Sequence, residues 1–141
     1  MEGFDLHPRL AADTHEVGDL PLCRVLLLND ARYPWVVLVP RRPGIREIHE
    51  LAPADRAQLL DESCRVAELL QRLFAPDKLN LGALGNLVPQ LHLHHVARYR
   101  SDPAWPGPVW GHSPAVPYAP EAAAERIARL RAGLGMAETG D

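Results

Sequence analysis

The run Gln90-Leu91-His92-Leu93-His94-His95-Val96 decides how this chain is read. As a β-strand it alternates, so Gln90, His92 and His94 project to one face, and Leu91, Leu93 and His95 to the other. Two imidazoles and an amide then form a single polar row. Its members lie about 6.6 to 7 Å apart along the strand, within reach of one phosphate group.

Working outward, Lys78 to Ala83 is a second extended segment, joined to Gln90–Ala97 through Leu84-Gly85-Asn86-Leu87-Val88-Pro89, where Gly-Asn is a turn signal. Upstream, Cys23–Leu28 and Trp35–Val39 are short, apolar and β-prone. Asn29-Asp30 breaks the first and Pro40-Arg41-Arg42-Pro43-Gly44 ends the second, so the two read as an antiparallel hairpin. Between the two pairs the period changes. Leu59, Ser63, Val66, Ala67, Leu70 and Leu73 recur at helical spacing, while Asp61, Glu62, Arg65, Glu68 and Arg72 fall mostly elsewhere, which predicts an amphipathic helix from Pro53 to Phe74. Leu60, Leu69 and Phe74 flank its main face and leave apolar surface for a partner.

A short helix is expected near Pro8–Thr14 within a polar lead-in, and an Ala/Arg-rich helix over Ala122–Leu134, after which the last few residues should fray. The six prolines between Ser101 and Pro120 exclude regular structure there, yet Trp105, Trp110 and Tyr118 predict a loop packed on the domain, with the tryptophans as packing groups. The absence of a βαβ rhythm points to an α+β fold with an antiparallel sheet.

A chain of 141 residues with 47% apolar content is the size of one domain, here residues 1–141 with a core at 20–100. The net charge of −3 shows no basic excess to grip long nucleic acid, although a single nucleotide needs only a pocket. Cys23 and Cys64 sit in apolar segments and read as two buried, reduced thiols. The N-terminus lacks the pattern of a secretory signal and no stretch approaches the ~20 apolar residues of a membrane span, so a cytoplasmic protein is expected.

The longer stretch Asn80-Leu-Gly-Ala-Leu-Gly-Asn86-Leu-Val-Pro-Gln90-Leu-His92-Leu-His94-His95-Val96-Ala-Arg98 resembles the signature of the histidine-triad (HIT) superfamily. The order of hairpin, long helix and histidine strand extends the similarity to roughly residues 20–100. The resemblance implies an antiparallel sheet of about five strands with one long and one C-terminal helix, a homodimer, and cleavage or transfer at the α-phosphate of a nucleotide conjugate or dinucleoside polyphosphate. It puts Gln90 where the first histidine of the triad would stand, His92 at the nucleophile's position and His94 at the third. It further implies that Asn86 faces the phosphate, that Asn80 is the upstream asparagine, and that Asn29 or its neighbour Asp30 holds ribose hydroxyls. Leu87 departs from a position often Ser or Thr, and Trp35 from one that is often His.

A neutral imidazole can attack phosphorus without a separate base, provided its other nitrogen carries the proton and is anchored, and a backbone carbonyl suffices for that. His94, Gln90 and Asn86 would then donate to the phosphate oxygens, a scheme that requires neither metal nor cofactor. Two other classes compete. A non-catalytic nucleotide-binding protein is motivated by Leu87 and Gln90, and a metalloprotein by the His-x-His pair with His112 or His95 as third ligand. His95 points to the far face, however, and no acidic residue flanks the row. Arg41-Arg42 reads as a solvated loop, and His7, His15 and His49 as surface residues.

Overall fold

The computed structural model describes residues 3–137, and the expected fraying of the last few residues lies outside them. Helix α1 (Pro8–Asp13) leads into strands β1 (Thr14–Asp19), β2 (Cys23–Leu28) and β3 (Trp35–Pro40). Helix α2 (Pro53–Phe74), strands β4 (Lys78–Gly82) and β5 (Leu93–Arg98), and helix α3 (Pro120–Gly133) follow. The five strands form one sheet in the order β1-β2-β3-β5-β4, antiparallel at every pairing. The α+β expectation with about five strands holds.

β1 is the strand that the sequence reading assigned to a polar lead-in. It is an edge strand, and Val17 is its only fully buried residue, so Thr14-His15-Glu16-Val17-Gly18-Asp19 carries almost no apolar alternation. β3, by contrast, is central and buried along its whole length. Its register splits the sheet into two faces: Trp35 lies opposite Val96 and Val37 opposite His94, while Val36 lies opposite His95 and Leu38 opposite Leu93.

The Val36 face packs with Val25 and Leu27 against Leu59, Val66 and Leu70 of α2 and Leu130 of α3. The Trp35 face packs with Leu26, Val37 and Val96 against Leu10, Val88, Ala104 and Val109, so the N-terminal segment and the proline-rich loop cover it. That loop is indeed packed on the domain.

α2 starts at Pro53 without a side-chain cap, and Asp55 in its first turn accepts hydrogen bonds from Arg42 at 2.8 and 3.1 Å. Arg41 donates to the carbonyls of Leu20, Pro21 and Leu22, so the Arg-Arg pair ties the end of β3 to its surroundings and is not merely solvated. The helix ends with Ala75 in the left-handed region at φ 44.

Four side chains of α2 depart from expectation. Cys64 is exposed; of the two free thiols only Cys23 is buried. Leu69 and Phe74 are not left for a partner. α3 lies so close to α2 that a Cβ on Gly133 would collide with Leu69, and Arg126 and Arg129 stack over Phe74 at 4.7 and 5.1 Å. Leu60 alone of the three flanking residues is exposed.

Glu62, read as part of the polar face, is wholly buried. Its carboxylate accepts the backbone N–H groups of Leu22 and Cys23, both at 2.8 Å, and the Gln58 amide at 2.7 Å. It thereby accepts from two backbone donors at the start of β2. Burial, together with this carboxylate, pushes the Cys23 thiol far above its usual range, so it is an inert packing group. Glu62→Leu should orphan both N–H groups and lower stability by about 2 to 5 kcal/mol in urea unfolding. Unchanged stability would mean that these groups find other partners.

Candidate active site

β5 begins at Leu93, so only His94 and His95 of the histidine run lie within the strand; Gln90 and His92 belong to the segment that approaches it. His92 still turns to the same face as His94, and their ring centroids are 5.0 Å apart. Gln90 does not join them. Its Oε1 accepts the His7 backbone N–H at 2.9 Å and its Nε2 donates to the Asp5 carbonyl at 2.9 Å, which ties down the N-terminal segment. The expected row of three is therefore corrected to a pair, because Gln90 precedes the pleat that would have aligned it and finds backbone partners instead.

The same residue serves the site through its main chain. The Gln90 carbonyl lies 2.7 Å from His92 Nδ1. A carbonyl can only accept, so Nδ1 carries a proton, and in the neutral ring Nε2 is left with a bare lone pair. His94 has the opposite arrangement. The Trp35 indole N–H donates to His94 Nδ1 at 2.9 Å, so in the neutral ring the proton sits on Nε2. Burial, then the adjoining His92 and His95, push the His94 pKa down to about 3. An acceptor nitrogen and a donor nitrogen thus stand side by side.

Both rings line a cleft of about 620 Å³ whose other walls come from several parts of the chain. α1 contributes Arg9 and Asp13, the β2–β3 turn Asp30, β3 Trp35, the turn after β4 Leu84 to Val88, and the proline-rich loop Val109 to Gly111, Ser113 and Ala115. Asn86 is among these. Trp110, taken from sequence as a packing group, also borders the cleft, edge-on to His94 at 5.6 Å and to Trp35 at 6.3 Å. An isolated Trp in a loop of prolines carries no mark of such a role; only the fold of the loop over the sheet reveals it. Arg9, Asp13 and Ser113 were missed for the same reason.

Of the two residues expected to hold ribose, Asp30 borders this cleft and Asn29 does not. Asn29 Oδ1 accepts from the Tyr118 N–H at 3.0 Å and lies 3.1 Å from His15 Nε2. The Asp30 carboxylate is gripped by Arg32 through two bonds of 3.0 and 2.9 Å. Burial alone would raise its pKa, but the Arg32 bonds outweigh it and hold it below the usual carboxylate range. Asn80 lies off the cleft, where its Oδ1 accepts from Arg98 at 2.8 Å within the buried Arg98–Asp102 pair.

His95 faces α2, fully buried. Its Nδ1 lies 3.2 Å from the Leu93 carbonyl and its Nε2 2.7 Å from the Ser63 hydroxyl, which pins helix to sheet, and burial lowers its pKa to about 4. His112 is exposed, 2.9 Å from Ser113 Oγ, and does not line the cleft. Among the described residues no group of three or more His, Cys, Asp or Glu side chains is arranged to hold a metal ion. No helix among them is long and apolar enough to cross a membrane.

The HIT domain family model matches residues 9–101. A crystal structure of a histidine triad protein from Marinobacter aquaeolei superposes with a TM-score of 0.92 at 57% identity, covering 94% of this chain and 96% of that one. Histidine triad proteins from Bradyrhizobium japonicum and Sinorhizobium meliloti give TM-scores of 0.91 and 0.90 at 47% and 45% identity. The first covers 93% of this chain and 98% of its own; the second covers 92% and 96%. No curated protein sequence matches.

Proposed function

This chain belongs to the HIT domain family, and from that premise we propose that it is a hydrolase or nucleotidyl transferase acting at the α-phosphate of a nucleotide conjugate or dinucleoside polyphosphate. Membership by itself supports nucleotide-binding hydrolase or transferase chemistry at the level of the family. The observation that carries the finer reading is the pair of opposed tautomers, His92 with Nε2 bare and His94 with Nε2 protonated, on one cleft wall.

In this scheme His92 Nε2 attacks the α-phosphorus. The N–P bond forms as the bond to the leaving group breaks, and the leaving group takes the electron pair. The ring becomes cationic in the covalent intermediate, and the Gln90 carbonyl, already bonded to Nδ1–H, faces the developing charge. His94 Nε2–H and the Asn86 amide supply donors for the phosphate oxygens. Water or another acceptor then attacks the same phosphorus and releases His92. We further propose a homodimer, in which Leu60 and not Leu69 or Phe74 offers exposed apolar surface on α2.

Incubation with nucleoside phosphoramidates, dinucleoside polyphosphates and nucleotide sugars, with and without chelator, tests the function, and acid-quench mass spectrometry tests the His92 adduct. Micromolar nucleotide binding with no turnover on any of them would favour a non-catalytic nucleotide-binding protein. Activity lost to chelator would favour the metalloprotein.

Leu87 sharpens the test. It sits exposed on the rim of the cleft and offers no hydroxyl to protonate a departing amine or alkoxide, a contribution that is typically about 10² to 10⁴-fold. Substrates whose leaving group departs as a stabilised anion should therefore turn over much faster than alkyl phosphoramidates, and Leu87→Ser should narrow the gap. Equal rates across leaving groups of very different basicity would contradict this.

A further inference from the structure

Trp35 takes no chemical step in the scheme above, yet among the described residues its indole makes the one side-chain hydrogen bond to the His94 ring, and the bond is buried: Trp35 is 6% exposed and His94 7%. An indole N–H cannot accept and cannot be deprotonated near neutral pH, so this contact admits a single state of the imidazole. A donor of another kind would be less strict. An imidazole in place of Trp35 could exchange donor and acceptor roles with His94; the indole cannot.

We propose that Trp35 is a positioning residue that holds neutral His94 as an Nε2–H donor around neutral pH, so that His94 delivers no proton to the leaving group. The inference rests on the function proposed above and deepens it. Protonation of His94 at Nδ1 would set its N–H against the indole N–H, leaving two buried donors facing each other without an acceptor. The donor to the phosphoryl group is thereby held in one orientation before substrate arrives, and no tautomer has to be corrected during reaction. The step it supports transfers no proton from His94: the N–P bond forms at His92, the leaving group departs with its electron pair, and His94 only donates a hydrogen bond.

The groups around His94 are consistent with this. His92 stands 5.0 Å away at the approach to β5, and His95 is its chain neighbour on the opposite face. From β3 and from the proline-rich loop the rings of Trp35 and Trp110 meet it, and both are non-titratable. The turn after β4 places no ionisable side chain on the cleft. The acidic groups on the cleft are Asp30, held by Arg32, and Asp13, whose carboxylate is 3.9 Å from Arg9. Among the described residues no carboxylate is hydrogen-bonded to the His94 ring, so none of them stands ready to stabilise an imidazolium there.

The test has two arms that fail separately. Long-range ¹H–¹⁵N correlation spectra of the imidazole rings, in wild-type protein and in Trp35→Phe between pH 5.5 and pH 8, read the tautomer without reference to activity. Wild-type His94 should show one proton on Nε2 and an unprotonated Nδ1 at every pH; in Trp35→Phe, which keeps an aromatic ring but no donor, the two tautomers should mix. With the p-nitrophenyl ester of adenosine monophosphate as probe, Trp35→Phe should lower kcat roughly 10- to 100-fold with KM within about threefold. Trp35→His should recover part of the rate but introduce an acid limb that wild type lacks.

A wild-type His94 that carries its proton on Nδ1, or that titrates within this range, overturns the proposal. So does a Trp35→Phe variant whose His94 tautomer is unchanged. If the spectra follow expectation while no variant turns over the probe, the positioning stands and the proposed hydrolase chemistry falls. If Trp35→Phe does not fold, the wild-type spectra and Trp35→His still decide the matter.

Discussion

His92→Asn is expected to cut turnover by about 10⁴-fold or more while leaving the affinity for adenosine monophosphate within about tenfold. The asymmetry follows from what the ring does in the proposed scheme. Its Nε2 contributes a bond that exists only from the transition state onward, whereas nucleotide in the ground state meets it merely as one wall of a cleft with many others. Asn keeps a polar group near the Gln90 carbonyl, so the approach to β5 should hold its shape. His94→Ala should differ in kind, because it removes a phosphate donor and also leaves the Trp35 N–H without an acceptor, so that binding and turnover both suffer. Single-turnover kinetics and calorimetric titration separate the two patterns. Wild-type turnover in His92→Asn would move the nucleophile elsewhere.

The second large effect is on stability in mild acid. His94 and His95 have folded-state pKa values lowered to about 3 and about 4, in each case chiefly by burial, against about 6.5 for an unfolded histidine. Above pH 6.5 both rings are neutral in both states and stability is flat with respect to them. Below it the unfolded chain takes up protons that the folded one refuses, so stability falls as pH falls, at up to about 2.7 kcal/mol per pH unit for the two rings together. The loss levels off once the pH drops through the folded values. Urea midpoints at pH 7, 6 and 5 should therefore decline ever more steeply, and His95→Gln should roughly halve the slope while keeping a polar partner for Ser63. A midpoint independent of pH over this range would mean that both rings accept protons in place.

The neutral, buried state of these histidines is not visible in the run Gln90 to Val96. What is visible there is alternation, and alternation correctly separated His94 from His95 because β5 is a regular strand with an antiparallel neighbour on each side. It failed at Gln90, two residues before His92, because the pleat starts only at Leu93 and the side chain bonds to Asp5 and His7, more than eighty residues away in the chain. Asn86 and Asp30 border the cleft, whereas Asn80 and Asn29 are held by Arg98, His15 and Tyr118. An asparagine bonds to whatever donor the fold brings near it, and residue type alone does not choose.

Periodicity determined the elements with a strong apolar pattern: the Cys23–Leu28 and Trp35–Pro40 pair, the 22 residues of α2 from Pro53 to Phe74, and the histidine strand. These depend on burial of a face, and burial of a face is written into spacing. β1 escaped because an edge strand covered on one side needs only Val17 inside, and its pairing with β2 is made by backbone groups that every residue possesses. Glu62, Trp110 and the covering of Leu69 by Gly133 were decided by tertiary structure alone. So were the two tautomers. A ring nitrogen's proton is set by the nearest acceptor or donor, and for His94 that donor, Trp35, arrives from another strand across 59 positions of sequence.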